Sequence, residues 1–212
     1  MLLIRPSQLR VNRVKMADGS LAYATNGAPS DCVALAVLGA IAEKVDLVVS
    51  GINRGANLGH DVTYSGTVAG AMEGVVSGLP AIAVSLDSFE GGNFGPAAQF
   101  VAALVPIVLQ RGLPRHTLLN VNVPDLPEEL IKGVEITRLG TRVYRDVLVE
   151  REDPRGRKYY WIGGEPPTGV MDEDGTDVSA LARGYISITP IDLDMTKVSM
   201  MDELRKWPLK PA

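Results

Sequence analysis

The chain has 212 residues, 46% hydrophobic and 22% charged, with 21 Lys+Arg against 25 Asp+Glu for a net charge of −4. That length and apolar content suffice for one sizeable buried core, and the slight acidity excludes a protein drawn to nucleic acid or to an anionic membrane by a basic field. No apolar run is long enough to span a bilayer, Met1 opens no basic, apolar, then small-residue leader, and a single cysteine, Cys32, cannot close an internal disulfide, so a reducing, cytoplasmic setting is expected.

The first element is a hairpin over Leu9–Thr25, turning at Ala17-Asp18-Gly19-Ser20, where Asp-Gly is the turn signal. Pro29-Ser30-Asp31 starts a helix that runs to Ala42, with Ser30 or Asp31 as its cap and Val33, Leu35, Val37, Leu38 and Ile41 as its buried face. Cys32 rides on this mostly apolar helix and is expected to be a buried structural residue rather than a nucleophile. Val45–Val49, VDLVV, is a β-branched and aliphatic run suited to a strand covered on both faces.

The next stretch, Ser50–Thr67, reads SGINRGANLGHDVTYSGT and is expected to be an active-site loop. Its glycines at 51, 55 and 59 allow close approach of a ligand or a positive φ, and Asn53 and Asn57 place amide groups between them. Asn53, just past a strand, can give its amide oxygen to a hard divalent cation but cannot hold one alone; the competing role for both asparagines is to shape turns. Ser65-Gly66-Thr67 opens a helix near 67–77 and sets two hydroxyls among N–H groups without helical partners, a favourable place for phosphate; here the competing role is helix capping. His60 and Asp61 are adjacent, and neighbours on an extended loop usually point apart, which argues against an acid–base pair. Arg54 either meets phosphate or is solvated.

A strand at Ala81–Leu86 completes a β-loop-α-β unit, and a helix over Pro96–Gln110 with a strand at Thr117–Val123 repeats it. Such repetition predicts a doubly wound, mostly parallel α/β sheet with ligands bound beyond the carboxyl ends of its strands. After Pro124 the alternation stops. Gly133–Leu139 and Gly184–Ile191 are strand-like, Tyr144–Gly163 forms a long hairpin turning at Asp153-Pro154-Arg155-Gly156, and Ser199–Trp207 is a short helix. The chain thus divides into a core over 1–124 and a hairpin-rich part over 125–212. Val147, Val149, Tyr159, Tyr160 and Trp161 pack either on another subunit or on the chain's own sheet.

The run VVSGINRGANLGHDVTYSGTVAGAMEGVVSGLPAIAVSL closely resembles the SurE family, survival-protein-E metal-dependent phosphatases that act as 5′(3′)-nucleotidases. NGAPSDCV, LNVNVPDLP, TRLGTR, EDPRGRKYYWIGG and GTDVSALARGYISITPIDLD extend the resemblance along nearly the whole chain. The resemblance implies a Rossmann-like core, a C-terminal part that joins subunits into a homodimer or homotetramer, Mg²⁺ or Mn²⁺, and hydrolysis of nucleoside monophosphates. It places the metal-ligand asparagine on Asn53, the phosphate-side loop on Asn57 and Ser65-Gly66-Thr67, and a substrate-side segment on Gly27 and its neighbours, with Ala28 where the family has threonine. The family's Asn-Asp-Asp-Gly metal motif does not occur in these 212 residues, so the chain is expected to start after that segment and no catalytic residue is assigned. An inactive chain that keeps only the oligomer interface and a weak anion site is the alternative. A dinucleotide-binding module is disfavoured because no G-x-G-x-x-G follows a strand.

Overall fold

A computed structural model describes residues 8–211, apart from the side chains of residues 165–167. Strands β1 (Val11–Lys15) and β2 (Leu21–Thr25) pair antiparallel across the Asp18-Gly19 turn, as expected. Helix α1 (Pro29–Leu35) corrects the expected capping. Its cap position is Ala28, and Asp31 reaches back to accept the Ala28 N–H at 2.7 Å. The helix also ends earlier than Ala42: it loosens into a wide turn over Ala36–Ala40, where Gly39 adopts φ 93°. Cys32 is exposed, not buried, because its side of α1 looks onto Val11 and Tyr23 of the hairpin rather than onto the sheet.

Strand β3 (Val48–Arg54), helix α2 (Gly66–Val76), strand β4 (Ala81–Asp87), helix α3 (Gly95–Arg111) and strand β5 (Thr117–Pro124) build the expected alternation. Every residue of β4 from Ala81 to Leu86 is buried, because its two faces meet different helices. Ile82, Val84 and Leu86 pack with Ala97, Val101 and Val108 of α3, whereas Ala81 and Ala83 pack with Val68, Ala71 and Val75 of α2. The strand expected at 45–49 is displaced. It starts at Val48, the first residue to pair with β4, and it continues through Ser50–Arg54, which were expected to be loop. A register shift between Ser50 and Asn53 accommodates Gly51, where a Cβ would lie 2.3 Å from the Val84 carbonyl oxygen. On the helix side α2 comes close enough that a Cβ at Gly70 would sit 2.6 Å from Ser50 Oγ.

The remaining strands are β6 (Val134–Ile136), β7 (Arg142–Glu152), β8 (Lys158–Gly169) and β9 (Ile186–Asp192); helix α4 (Asp177–Ala182), which was not expected, precedes β9, and α5 (Val198–Leu204) follows it. The central sheet has the order β3-β4-β5-β9-β6, with β9 antiparallel to β5 and its other neighbours parallel. The result is an α/β, Rossmann-like, mostly parallel sheet with helices on both faces. Strands β7 and β8 form a separate two-stranded sheet whose turn is fixed by Asp153 Oδ1, acceptor for the Arg155 and Arg157 N–H groups. Leu148, Trp161 and Ile162 on this hairpin are 65%, 62% and 77% exposed, so packing on the chain's own central sheet is ruled out for them.

Candidate active site at the carboxyl ends of the strands

Alternation along β5 sends Leu119, Val121 and Val123 toward α3 and sends Asn120 and Asn122 to the opposite face. There they continue a polar row across the sheet, with Ser85 and Ser187 flanking Asn122 and Thr189 beside Asn120, all fully or nearly fully buried. Buried amides are costly unless bonded, and the loop after β3 bonds them except at Asn120 Oδ1, which has no hydrogen-bond partner among the described residues. The Asn57 N–H donates to Asn122 Oδ1 at 2.8 Å, while Asn120 Nδ2 and Asn122 Nδ2 donate to the Asn57 carbonyl at 2.8 and 3.1 Å. The Asn57 side chain donates to Ser85 Oγ at 2.7 Å. Asn57 is therefore the point at which the loop is pinned to the sheet. Sequence reasoning missed Ser85, Asn120 and Asn122, although two asparagines at alternate positions of the apolar TLLNVNVP are a legible signal of a polar inner face.

Two further contacts join the loop to the base of the hairpin. Asp177 is fully buried; its Oδ2 accepts the Gly59 N–H at 2.8 Å and its Oδ1 accepts those of Gly140 and Val178 at 2.7 and 2.8 Å. Burial pushes its carboxyl pKa up, against the pull of these bonds and of Arg142. Gly59, at φ 51°, is the residue this approach requires, since a Cβ there would lie 2.4 Å from the Gly140 carbonyl oxygen. Alongside, Arg142 Nε donates to Asp61 Oδ2 at 3.0 Å, with only 8% and 18% of the two side chains exposed. Burial, with the nearby Asp177 carboxyl, raises the Asp61 carboxyl as well, against the pull of Arg142. Asp61 spends its carboxylate on Arg142, and its neighbour His60 is exposed.

At the start of α2, Ser65 is the N-cap, and its Oγ accepts the Val68 N–H at 3.1 Å. Gly66 and Thr67 follow as the first helical residues, so their N–H groups have no partner inside the helix. Pro29 abuts this helix start, 3.5 Å from where a Cβ on Gly66 would stand. Gly27 gives its N–H to Thr25 Oγ1 at 3.2 Å and packs so closely on Asp31 that a Cβ would fall 2.6 Å from it. Its amide is thus engaged within the chain.

Asn53 lies opposite Ser85 in the β3–β4 register. Its Nδ2 donates to the carbonyls of Arg54 and Gly55 at 3.2 and 2.8 Å, and its Oδ1 takes no hydrogen bond among the described residues. The Arg54 guanidinium lies over the Phe94 ring, 5.9 Å from its centre.

An open cleft of about 600 Å³ lies here, walled by Asn57, Asp61, Tyr64, Ser65, Tyr144 and Asp146. Of the residues expected at a site, it brings Asn57 and Ser65 together; Asn53, Gly66, Thr67 and Gly27 are not among its walls. A larger hollow of about 830 Å³ lies at the opposite, amino-terminal edge of the sheet, between Asp46, Val76, Leu109 and His116, away from all of these groups. Among the described residues no three His, Cys, Asp or Glu side chains converge as a metal site. None of their helices is long and apolar enough to cross a membrane.

Residues 2–146 match the family described as "Survival protein SurE". A protein named 5′-nucleotidase SurE from Symbiobacterium thermophilum is 52% identical over 183 residues, covering 86% of this chain and 71% of its own. The protein of the same name from Herpetosiphon aurantiacus is 53% identical over 198 residues, covering 92% of this chain and 77% of its own. Among solved structures, the SurE protein of Aquifex aeolicus superposes with a TM-score of 0.76 at 42% identity, covering 92% of this chain and 79% of that one.

Proposed function

This chain belongs to the SurE family, and from that membership we propose that it is a 5′-nucleotidase, a phosphomonoesterase that cleaves nucleoside 5′- or 3′-monophosphates to nucleoside and phosphate. The observation that carries this function is identity of about half the residues to proteins named 5′-nucleotidase SurE, over most of both chains. The phosphate is assigned to the start of α2. There the Gly66 and Thr67 N–H groups and the Ser65 and Thr67 hydroxyls are donors for its oxygens, and the helix dipole favours negative charge. Asn57, held by Ser85 and Asn122, forms the adjoining wall. As charge grows on the phosphate oxygens during transfer, fixed donors of this kind bind the transition state more tightly than the ground state.

A divalent cation, Mg²⁺ or Mn²⁺, is part of the same proposal, with Asn53 Oδ1 as one ligand; such an ion polarises phosphate and stabilises its developing charge. One neutral oxygen does not hold a hard cation that favours several oxygen ligands, and the described residues offer no acidic cluster beside it. The described residues alone therefore do not fit the ion, and no step is derived through it. We also assign a cytoplasmic location, supported by the single, exposed cysteine, and a homodimer or homotetramer joined through the β7–β8 hairpin, supported by its exposed apolar side chains.

The test is phosphate release from a panel of nucleoside 5′- and 3′-monophosphates with Mg²⁺ or Mn²⁺, and again with a chelator. Release from at least one member of the panel is expected, and the chelator arm reports whether the ion takes part. Failure to release phosphate from every member of the panel with either ion would overturn the proposal.

A further inference from the structure

The cleft beside the phosphate end carries two aromatic rings that nothing else among the described residues uses. Tyr64 is 89% exposed and Tyr144 is 47% exposed, and both wall the same hollow. Neither hydroxyl makes a hydrogen bond among the described residues, and neither ring belongs to a hydrophobic cluster. Yet both are held in place by buried anchors. Tyr64 closes the short 3-10 turn Gly59–Thr63, donating its N–H to the Asp61 carbonyl at 3.0 Å, and it directly precedes the Ser65 cap. Tyr144 stands two residues along β7 from Arg142. The Arg142–Asp61 pair, and Asp177 bridging Gly59 to Gly140, tie the two backbone segments that bear these rings to one another. Exposed rings on a braced frame, next to a helix start suited to phosphate, are what a stacking site for a heterocyclic base requires.

We infer that Tyr64 and Tyr144 form the nucleobase subsite, holding the base of a nucleoside monophosphate whose phosphate lies at the Ser65 end of the cleft; the inference rests on the nucleotidase function proposed above. The hollow's volume, about 600 Å³, falls within the range of roughly 300–1,000 Å³ usual for small-molecule sites. Stacking tolerates any base because every base has a π face, so this subsite selects nucleotides over other phosphomonoesters more strongly than it selects one base over another.

The test compares equilibrium binding of adenosine 5′-monophosphate with that of ribose 5-phosphate, which keeps sugar and phosphate but lacks the base. Titration calorimetry without divalent ions prevents turnover during the measurement. The wild-type chain is expected to prefer the nucleotide by about tenfold, the order of one stacked base. Y64A and Y144A each bring the ratio of the two dissociation constants toward one, and Y64F and Y144F keep it, because a phenyl ring stacks as well as a phenol. Both side chains are exposed, so the alanine variants are expected to fold, and circular dichroism checks that they do. The inference is overturned if the wild-type chain binds the two compounds equally or binds neither, or if the alanine variants retain the preference. A parallel phosphate-release assay separates the two ideas: a ratio that collapses in the variants, in a protein that releases no phosphate, would refute the nucleotidase function and not the base subsite.

Discussion

Asn57 and Asn122 are bonded twice in opposite senses across 65 residues of sequence: the Asn57 N–H donates to Asn122 Oδ1, and Asn122 Nδ2 donates back to the Asn57 carbonyl. A side chain that mimics a strand partner in this way fixes where the loop leaves the sheet. Asn122→Ala removes both bonds and strands a buried N–H. Such a variant is expected to lose about 2–4 kcal/mol, the cost of an unsatisfied buried donor plus the vacated volume. Asn122→Asp keeps the acceptor but loses the donor, and it is expected to be destabilised as well, because a buried carboxylate is added without a cation beside it. Urea denaturation of the three proteins measures both effects; a loss below 0.5 kcal/mol for the alanine variant, within the scatter of neutral surface changes, would remove the network from the account of the loop.

The alternation of strands and helices from Val48 to Pro124 is legible because its elements carry their own signals, the largely apolar run of β4 and the period of α3, and the hairpin is legible from its Asp153-Pro154-Arg155-Gly156 turn. The start of β3 is not, since Ser50, Gly51, Asn53 and Arg54 read locally as loop and become strand only through pairing with β4. Likewise nothing near Ile186–Asp192 says that this strand inserts beside β5; that is decided by the match of Leu118, Asn120 and Asn122 to Ile191, Thr189 and Ser187. The glycines and Ser65 of the site are readable from their own conformational and capping demands. Asp177 is not, because its partners, Gly59 and Gly140, are brought to it only by the fold.

Asp177 makes stability depend on pH in a defined direction. Burial raises its carboxyl above the ordinary value of 3.8, so between 3.8 and the raised value the folded chain holds a proton that the unfolded chain has released. The stabilisation from that proton is complete below 3.8 and is lost as pH rises through the folded value. Asp177→Asn does not titrate, and its amide nitrogen meets backbone N–H groups that need an acceptor. The variant is expected to be less stable than the wild-type chain by about 2–3 kcal/mol, with the gap widest at acid pH and narrowing toward neutrality. Paired denaturation curves from pH 7 down to pH 4 measure it, and a gap that widens toward neutrality would show that the carboxyl is lowered instead.

Ser65 serves as a cap and is assigned to phosphate, and two substitutions separate the roles. Ser65→Ala loses the bond to the Val68 N–H and is expected to lower stability by about 1 kcal/mol. Ser65→Asp restores a capping acceptor and places a negative charge favourably for the helix, so stability is expected to stay near that of the wild-type chain. The same carboxylate repels a phosphate dianion at the helix start, and KM for a nucleoside monophosphate is expected to rise by about tenfold or more. A Ser65→Asp protein with unchanged KM would leave Ser65 as a cap alone.

The β7–β8 hairpin has apolar groups on both of its faces. Val149 pairs with Trp161 on one face and Leu148 with Ile162 on the other, and all four side chains are exposed in the single chain. A two-stranded ribbon gains little by itself, so two apolar faces call for surfaces on both sides, which a second copy of the chain would supply in the homo-oligomer proposed above. Trp161→Glu and Ile162→Glu test the faces separately, because consecutive strand residues point to opposite sides. The wild-type chain is expected to elute as a dimer or tetramer in light-scattering chromatography, and at least one of the two variants as a smaller species. The melting of the central sheet is expected to persist in that species, since the hairpin forms a sheet of its own. If both variants elute as the wild-type chain does, the subunits are joined elsewhere. If only Trp161→Glu dissociates, the face shared with Val149 is the buried one, and Leu148 and Ile162 remain in solvent.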